Sequence, residues 1–170
     1  MRRLSVYLVC VVMLAGGASA SSAQQVFVRE GVEYQLELPS NVWRATSSPD
    51  SVHQHMEFVN GDRSEGYLRI RKELVDAGTT PSDIARRDMG QKLRFAPGFV
   101  EGKEERFAGR LSGVTSSYEY TAAGKPMAGR LYYLQADPRT IYILWFTGQR
   151  DKLLRLRNQT DSIARSFHLK

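Results

Sequence analysis

The sequence predicts an α+β chain: a three-layer α/β/α sandwich with a mostly antiparallel central sheet and one helix on each face. Three observations carry this expectation. Several short runs alternate apolar and polar residues with a period of two. Two segments, near 80–94 and 151–167, repeat apolar residues at three- and four-residue steps and so carry one apolar stripe each. One run, Ile141-Tyr-Ile-Leu-Trp-Phe146, is apolar on both faces, so it must be covered from both sides.

The first element is not part of the fold. Arg2 and Arg3 precede an apolar run that gives way to Gly16, Gly17, Ala18, Ser19 and Ala20, the order of a secretory signal peptide over residues 1–20. The apolar stretch from Val6 to Ala15 is about half of the ~20 residues that a spanning helix needs. Cleavage is therefore expected rather than a retained anchor. Ala18-x-Ala20 makes Ser21 the expected mature N-terminus, with cleavage after Ala23 as the alternative. Cys10, the one cysteine, leaves with the leader, which excludes thiol catalysis, thiolate metal sites and disulfides from the mature product. Val9 before it, and its place inside the apolar run, argue against lipid attachment.

Residues 21–25 form a polar leader, and 26–170 form a single domain, long enough to bury a core without staples. Residues 26–30 and 32–38 read as strand, turn at Gly31, strand; Val32, Tyr34, Leu36 and Leu38 share the apolar face. Pro39 ends the second strand, and Trp43 is expected to plug the core edge. Val52–Val59 and Tyr67–Val75 read as a hairpin turned at Asn60-Gly61. Leu68, Ile70 and Leu74 take one face, and Tyr67, Arg69, Arg71 and Glu73 the other. Thr80-Pro81-Ser82-Asp83 starts a helix to about Arg94, striped by Ala85, Met89 and Leu93. Four strands follow at 100–107, 111–121, 127–135 and 140–146, the last in the centre. A second helix spans Asp151 to about Phe167.

The net charge is +6, and loss of Arg2 and Arg3 lowers it by two. That modest excess, with Lys and Arg interleaved among Glu and Asp, disfavours nucleic acid and fits a mixed-charge surface. His53-Gln54-His55 on a strand places two imidazoles on one face with Glu57, a set that could hold Zn²⁺ or Cu²⁺; the simpler alternative is a solvent-facing polar strand. Arg69 and Arg71, with Lys72 and Arg63 nearby, could bind an anion, or could pair with Glu57, Glu65 and Glu73. The tyrosines and Trp145 of the C-terminal half line either a ligand groove or, more simply, the sheet core. The sequence carries no nucleophile–base motif, metalloprotease helix, phosphate loop or dinucleotide fingerprint, and no cofactor is expected.

Tyr34-Gln-Leu-Glu-Leu-Pro39 followed by Asn41-Val-Trp43 resembles the opening of PsbP-like and DcrB-like proteins. Ser117-Tyr-Glu-Tyr120, the Gly124 turn and Arg130-Leu-Tyr-Tyr133 resemble their middle hairpin. Ile141–Phe146, then a helix closing on Ser162-Ile-Ala-Arg-Ser-Phe-His168, resembles their C-terminal end. The resemblance spans residues 26–169 and implies an α/β/α sandwich used as a binding or accessory module. Plant members are extrinsic subunits of the oxygen-evolving photosystem, bacterial members are exported, and the group has no general catalytic motif. The expectation is an exported, periplasmic or secreted, non-enzymatic domain that binds a protein or envelope partner and is not an integral membrane protein after cleavage. A periplasmic small-ligand or metal-binding protein is the alternative, and oligomeric state stays open.

Overall fold

The computed structural model describes residues 24–47 and 55–170. The expected signal peptide and both cleavage sites lie outside the described residues, as do Asp50 and His53. The first predicted strand pair is found as β1 (Gln25–Phe27) and β2 (Tyr34–Leu38), antiparallel, with Gly31 at φ 77° in the turn between them. Val32, Tyr34, Leu36 and Leu38 are buried, as their alternation requires. These strands do not enter the main sheet. Both edges of β2 are taken, by β1 and by the chain's last strand β11 (His168–Leu169), so the three form a sheet of their own.

The main sheet is correspondingly large. It contains β3 (Trp43–Ala45), β4 (Met56–Asn60), β5 (Gly66–Leu74), β6 (Val100–Glu101), β7 (Glu105–Ala108), β8 (Ser112–Ala122), β9 (Lys125–Asp137) and β10 (Thr140–Gln149). Their order is β3-β4-β5-β10-β9-β8-β6, with β7 also paired to β8, and every pairing is antiparallel. β10 lies between β5 and β9, and Ile141, Tyr142, Ile143, Leu144 and Phe146 are at most 1% exposed, so the doubly apolar strand is central. Ala123 and Gly124, at φ 47° and 72°, form the two-residue turn of the β8–β9 hairpin. Two successive positive φ values match the right-handed strand twist there.

Several features differ from expectation. The strand expected over 100–107 is two, because residues 102–104 face only two residues of β8; Gly102 N–H still donates to Ser117 O at 2.8 Å, but the register then slips. Leu74 is exposed rather than inward, since it pairs with the first residue of β10 at the sheet's end. The helix expected over 151–167 is α2 (Arg150–Arg155) and α3 (Arg157–Ser166), separated by Leu156 at φ −85°, ψ 1°.

α1 (Pro81–Gln91) begins with a reciprocal capping box between Thr80 and Asp83. It ends three residues short of Arg94, where a 3₁₀ turn at Leu93–Phe95 tightens the chain before Pro97. Ile84, Ala85 and Met89 form one apolar cluster with Leu131, Tyr133, Ile141 and Ile143. Leu153 of α2, Ile163 and Ala164 of α3, and Phe167 join a second cluster with β2, Tyr132, Leu134, Tyr142, Leu144 and Phe146. Strand alternation puts these clusters on opposite faces of the main sheet. Each such buried side chain contributes about 1.5–3 kcal/mol relative to exposure. The observed class is α+β on a mostly antiparallel sheet.

Candidate functional site

Of the charged residues singled out by the sequence, Glu57, Arg63, Arg69, Arg71 and Glu73 fall into two ionic clusters on one face of β4 and β5, while Lys72 pairs with Glu33 at 2.9 Å and Glu65 with Lys152 at 2.8 Å. Glu57 stands opposite Arg69 across the β4–β5 ladder and is 8% exposed. Its carboxylate accepts from Arg63 Nη2 at 2.9 Å and Arg69 Nη2 at 3.3 Å, and His55 Nε2 lies 3.3 Å away. Burial works to raise the Glu57 carboxyl; the Tyr67 hydroxyl and the two guanidinium groups outweigh it and hold it below the ordinary range. Tyr67 lies between the two arginines, with the Arg63 and Arg69 carbons 5.0 and 5.8 Å from its ring centre. His55 and Glu57 do share a face, as period two requires. The other half of the histidine pair, His53, is outside the described residues. Among the described residues, no group of three or more His, Cys, Asp or Glu is placed to hold a metal ion.

Arg71, two residues along, turns to a different acid. Its Nη2 donates to Asp88 Oδ2 at 2.6 Å. Asp88 comes from the inner face of α1, is 2% exposed, and also accepts from Lys92 Nζ at 2.6 Å and Arg87 Nη2 at 3.1 Å. Arg87 Nη1 reaches Glu73 at 2.6 Å, and that bond chiefly holds the guanidinium pKa above its ordinary value. Arg69 and Arg71 are thus each met by acids of the same chain. Asp88 was not legible as part of the site: on a helical wheel it sits beside Ala85 and Met89, where an apolar residue is expected.

The feature that the sequence did not announce is a groove on the other face. It is open along one side, encloses about 340 Å³, and runs between α2 and the β6–β7 segment over Ser117–Glu119 of β8 and Ala128–Arg130 of β9. Ala128 and Leu153 are buried at its base. Val100 and Leu154, each 60% exposed, stand on its two lips. Arg130 lines the floor and is fixed from behind: Nε donates to Tyr132 Oη at 2.6 Å and Nη2 to Asp161 Oδ1 at 3.0 Å. Tyr132 Oη donates in turn to Asp161 and lies 3.0 Å from Thr160 Oγ1. Burial raises the Tyr132 hydroxyl far above its ordinary value, so it stays protonated in this role. This arrangement can hold a ligand or a side chain. Among the described residues lining it there is no Ser or Cys paired with a histidine base, so it offers no nucleophile–base pair.

The sheet order, the flanking helices and the small accessory sheet together constitute a PsbP-like fold. Solved structures show the same fold at low sequence identity. LpqN of Mycobacterium tuberculosis, described as involved in cell envelope biogenesis, superposes with a TM-score of 0.57 at 17% identity, over 86% of this chain and 91% of that one. The cyanobacterial PsbP of Synechocystis gives 0.59 at 13% identity, covering 91% and 96%. Mog1p, a Ran-binding protein of Saccharomyces cerevisiae, gives 0.61 at 10% identity, covering 88% and 96%. No protein-family model and no curated protein sequence matches the chain. Among the described residues no helix is long and apolar enough to cross a membrane.

Proposed function

We propose that the protein is an exported, non-catalytic accessory domain that works by binding a protein partner of the cell envelope. The observation that carries this is the groove with Val100 and Leu154 exposed on its lips. Large apolar side chains held in water on both sides of a cleft favour a partner that covers them. At about 340 Å³ and open along one side, the groove sits at the low end for a small-molecule site and does not enclose a ligand. The role agrees with the descriptions of the fold neighbours, one in envelope biogenesis and one in protein binding; at 10–17% identity these supply analogy only. Export rests on the pattern of residues 1–20. In this reading the main sheet is the middle layer of a three-layer α/β/α sandwich, supported by an apolar cluster on each of its faces.

Affinity capture of the tagged protein from its own envelope tests the proposal, with its N-terminus sequenced on recovery. The expected result is an N-terminus at Ser21, or at Gln24 by the alternative cleavage, and a partner retained by the parent protein. Recovery of no partner, together with a clear thermal shift from a metabolite or metal panel, would overturn it in favour of ligand binding.

A further inference from the structure

The groove also says something about the chemistry of what it takes. Its two sides carry opposite net charge. On the β6–β7 side stand Glu101 and Glu105, both exposed, and among the described residues neither has an ion-pair partner; Lys103 lies between them. On the helical side Arg157 is exposed and likewise unpaired among the described residues. Lys103, likewise exposed and without an ion-pair partner among the described residues, offsets one of the two acids, so the β6–β7 side is negative by a single net charge; Glu119 is committed to Arg150 at 3.4 Å, and Arg130 to Asp161. Between the free acids and the free arginine run the apolar lips and the base formed by Ala128 and Leu153. Gly102 lets the β6–β7 segment lie close against β8 at this wall, because a Cβ there would drive into Ser117.

An apolar strip flanked by unlike charges selects an occupant with the reverse order of charges and an apolar centre. Sheet extension by an added strand is a poor fit at this edge. β6 and β7 are two and four residues long, interrupted by the bulge, and rich in charge, all devices that block edge pairing. Resting on the partner-binding reading above, we propose that the groove docks a segment of a partner protein through its side chains. One or two apolar side chains enter between Val100 and Leu154. An acidic residue faces Arg157, and a basic residue faces Glu101 and Glu105.

The test is selection of a displayed library of random linear peptides against the purified protein, followed by binding measurements on Leu154→Glu and Arg157→Glu variants. Both side chains are exposed, so unchanged thermal midpoints should accompany both substitutions. The expected peptides carry an apolar residue or pair between an acid and a base. They lose about tenfold or more in affinity to Leu154→Glu, as a central anchor does. Arg157→Glu weakens the selected peptides and strengthens those whose acid is replaced by lysine. Enriched peptides that lack the pattern, or that bind Leu154→Glu as well as the parent, overturn the proposal. So does an absence of enriched peptides, including the case in which a small amphiphile binds the groove instead. A partner captured from the envelope whose retention is indifferent to Leu154→Glu would leave the accessory role standing and remove this site.

Discussion

At the scale of single residues, Asp88 closes the ionic cluster that ties α1 to β5. It is an acid on the inner face of α1, and it survives there because Arg71, Arg87 and Lys92 converge on its two oxygens. Burying a carboxylate without such partners is prohibitive. Its partners would lose a shared acceptor without it: Arg71 and Arg87 are two-thirds buried and would keep Glu73, at 3.5 and 2.6 Å. Asp88→Ala should therefore lower unfolding free energy by about 3 kcal/mol, the low end for breaking a buried pair, because the guanidinium groups keep some access to water. Urea unfolding of the variant measures this. A loss of under about 1 kcal/mol, the range of surface pairs, would show that the cluster is incidental to how α1 is held. By contrast, the Glu57 group uses partly exposed arginines, and its removal should be felt less.

At the scale of elements, much was legible because local chemistry and tertiary role agree. The alternation in β2, the Thr80–Asp83 cap and the double apolarity of β10 each state a requirement that only one structure satisfies. What was not legible depends on contacts between distant segments. Nothing in the sequence around Leu156 breaks a helix, and Leu156 packs against the main cluster. The departure of β1 and β2 from the main sheet depends on β11, more than a hundred residues away. The groove draws Val100, Ala128 and Leu154 from three separate elements, so no window of sequence contains it. Of the residues that the sequence singles out, Arg69 and Arg71 do sit on one strand face, but they serve two different acids, a distinction that only α1's position makes. Close approach between elements is equally tertiary. Tyr118 leans over Gly129, its partner on β9, while accepting a hydrogen bond from Trp145 Nε1 at 2.9 Å. Phe99 and Tyr120 pack against the same ring, at 5.9 and 5.6 Å between centres. Gly129→Ala puts a methyl group into that ring, which has no room to retreat. Overpacking of this kind costs about 1–3 kcal/mol. The expected outcome is a loss in that range, with a changed near-ultraviolet circular dichroism spectrum as the Trp145–Tyr118 bond is disturbed. An unaltered spectrum at parental stability would contradict this account of the aromatic group.

For the molecule as a whole, the acids set how stability answers to pH. Glu33 is held below its ordinary value of 4.5, first by the Tyr142 hydroxyl and then by Lys72. Glu57 is lowered against its own burial by Tyr67, Arg63 and Arg69. Asp62 is lowered by Ser64, and Asp137 by the Arg139 backbone, both from 3.8. Asp83 is lowered to about 2, by the Thr80 side chain before all else. All five shifts have the same sign. A carboxyl with a lower pKa folded than unfolded stabilises the fold above its unfolded value, and that contribution is lost as pH falls through the folded value. The five acids tie together separate parts of the chain: Glu33 joins the small sheet to β10, Glu57 joins β4 to β5, Asp62 and Asp137 close turns, and Asp83 caps α1. Acid should therefore loosen the whole molecule rather than one element. Their contribution should be constant from pH 7 to pH 5, decline from about pH 4.5, and continue to decline toward pH 2, where Asp83 titrates last. Denaturation midpoints across this range, compared with those of Glu57→Gln, test the sign. The variant should be less stable at pH 7 and should lose less on acidification, because it has one fewer carboxylate to protonate. A Glu57→Gln curve parallel to the parental one would mean that Glu57 has the same proton affinity folded and unfolded, and would remove the Arg63–Glu57–Arg69 cluster from the account of stability.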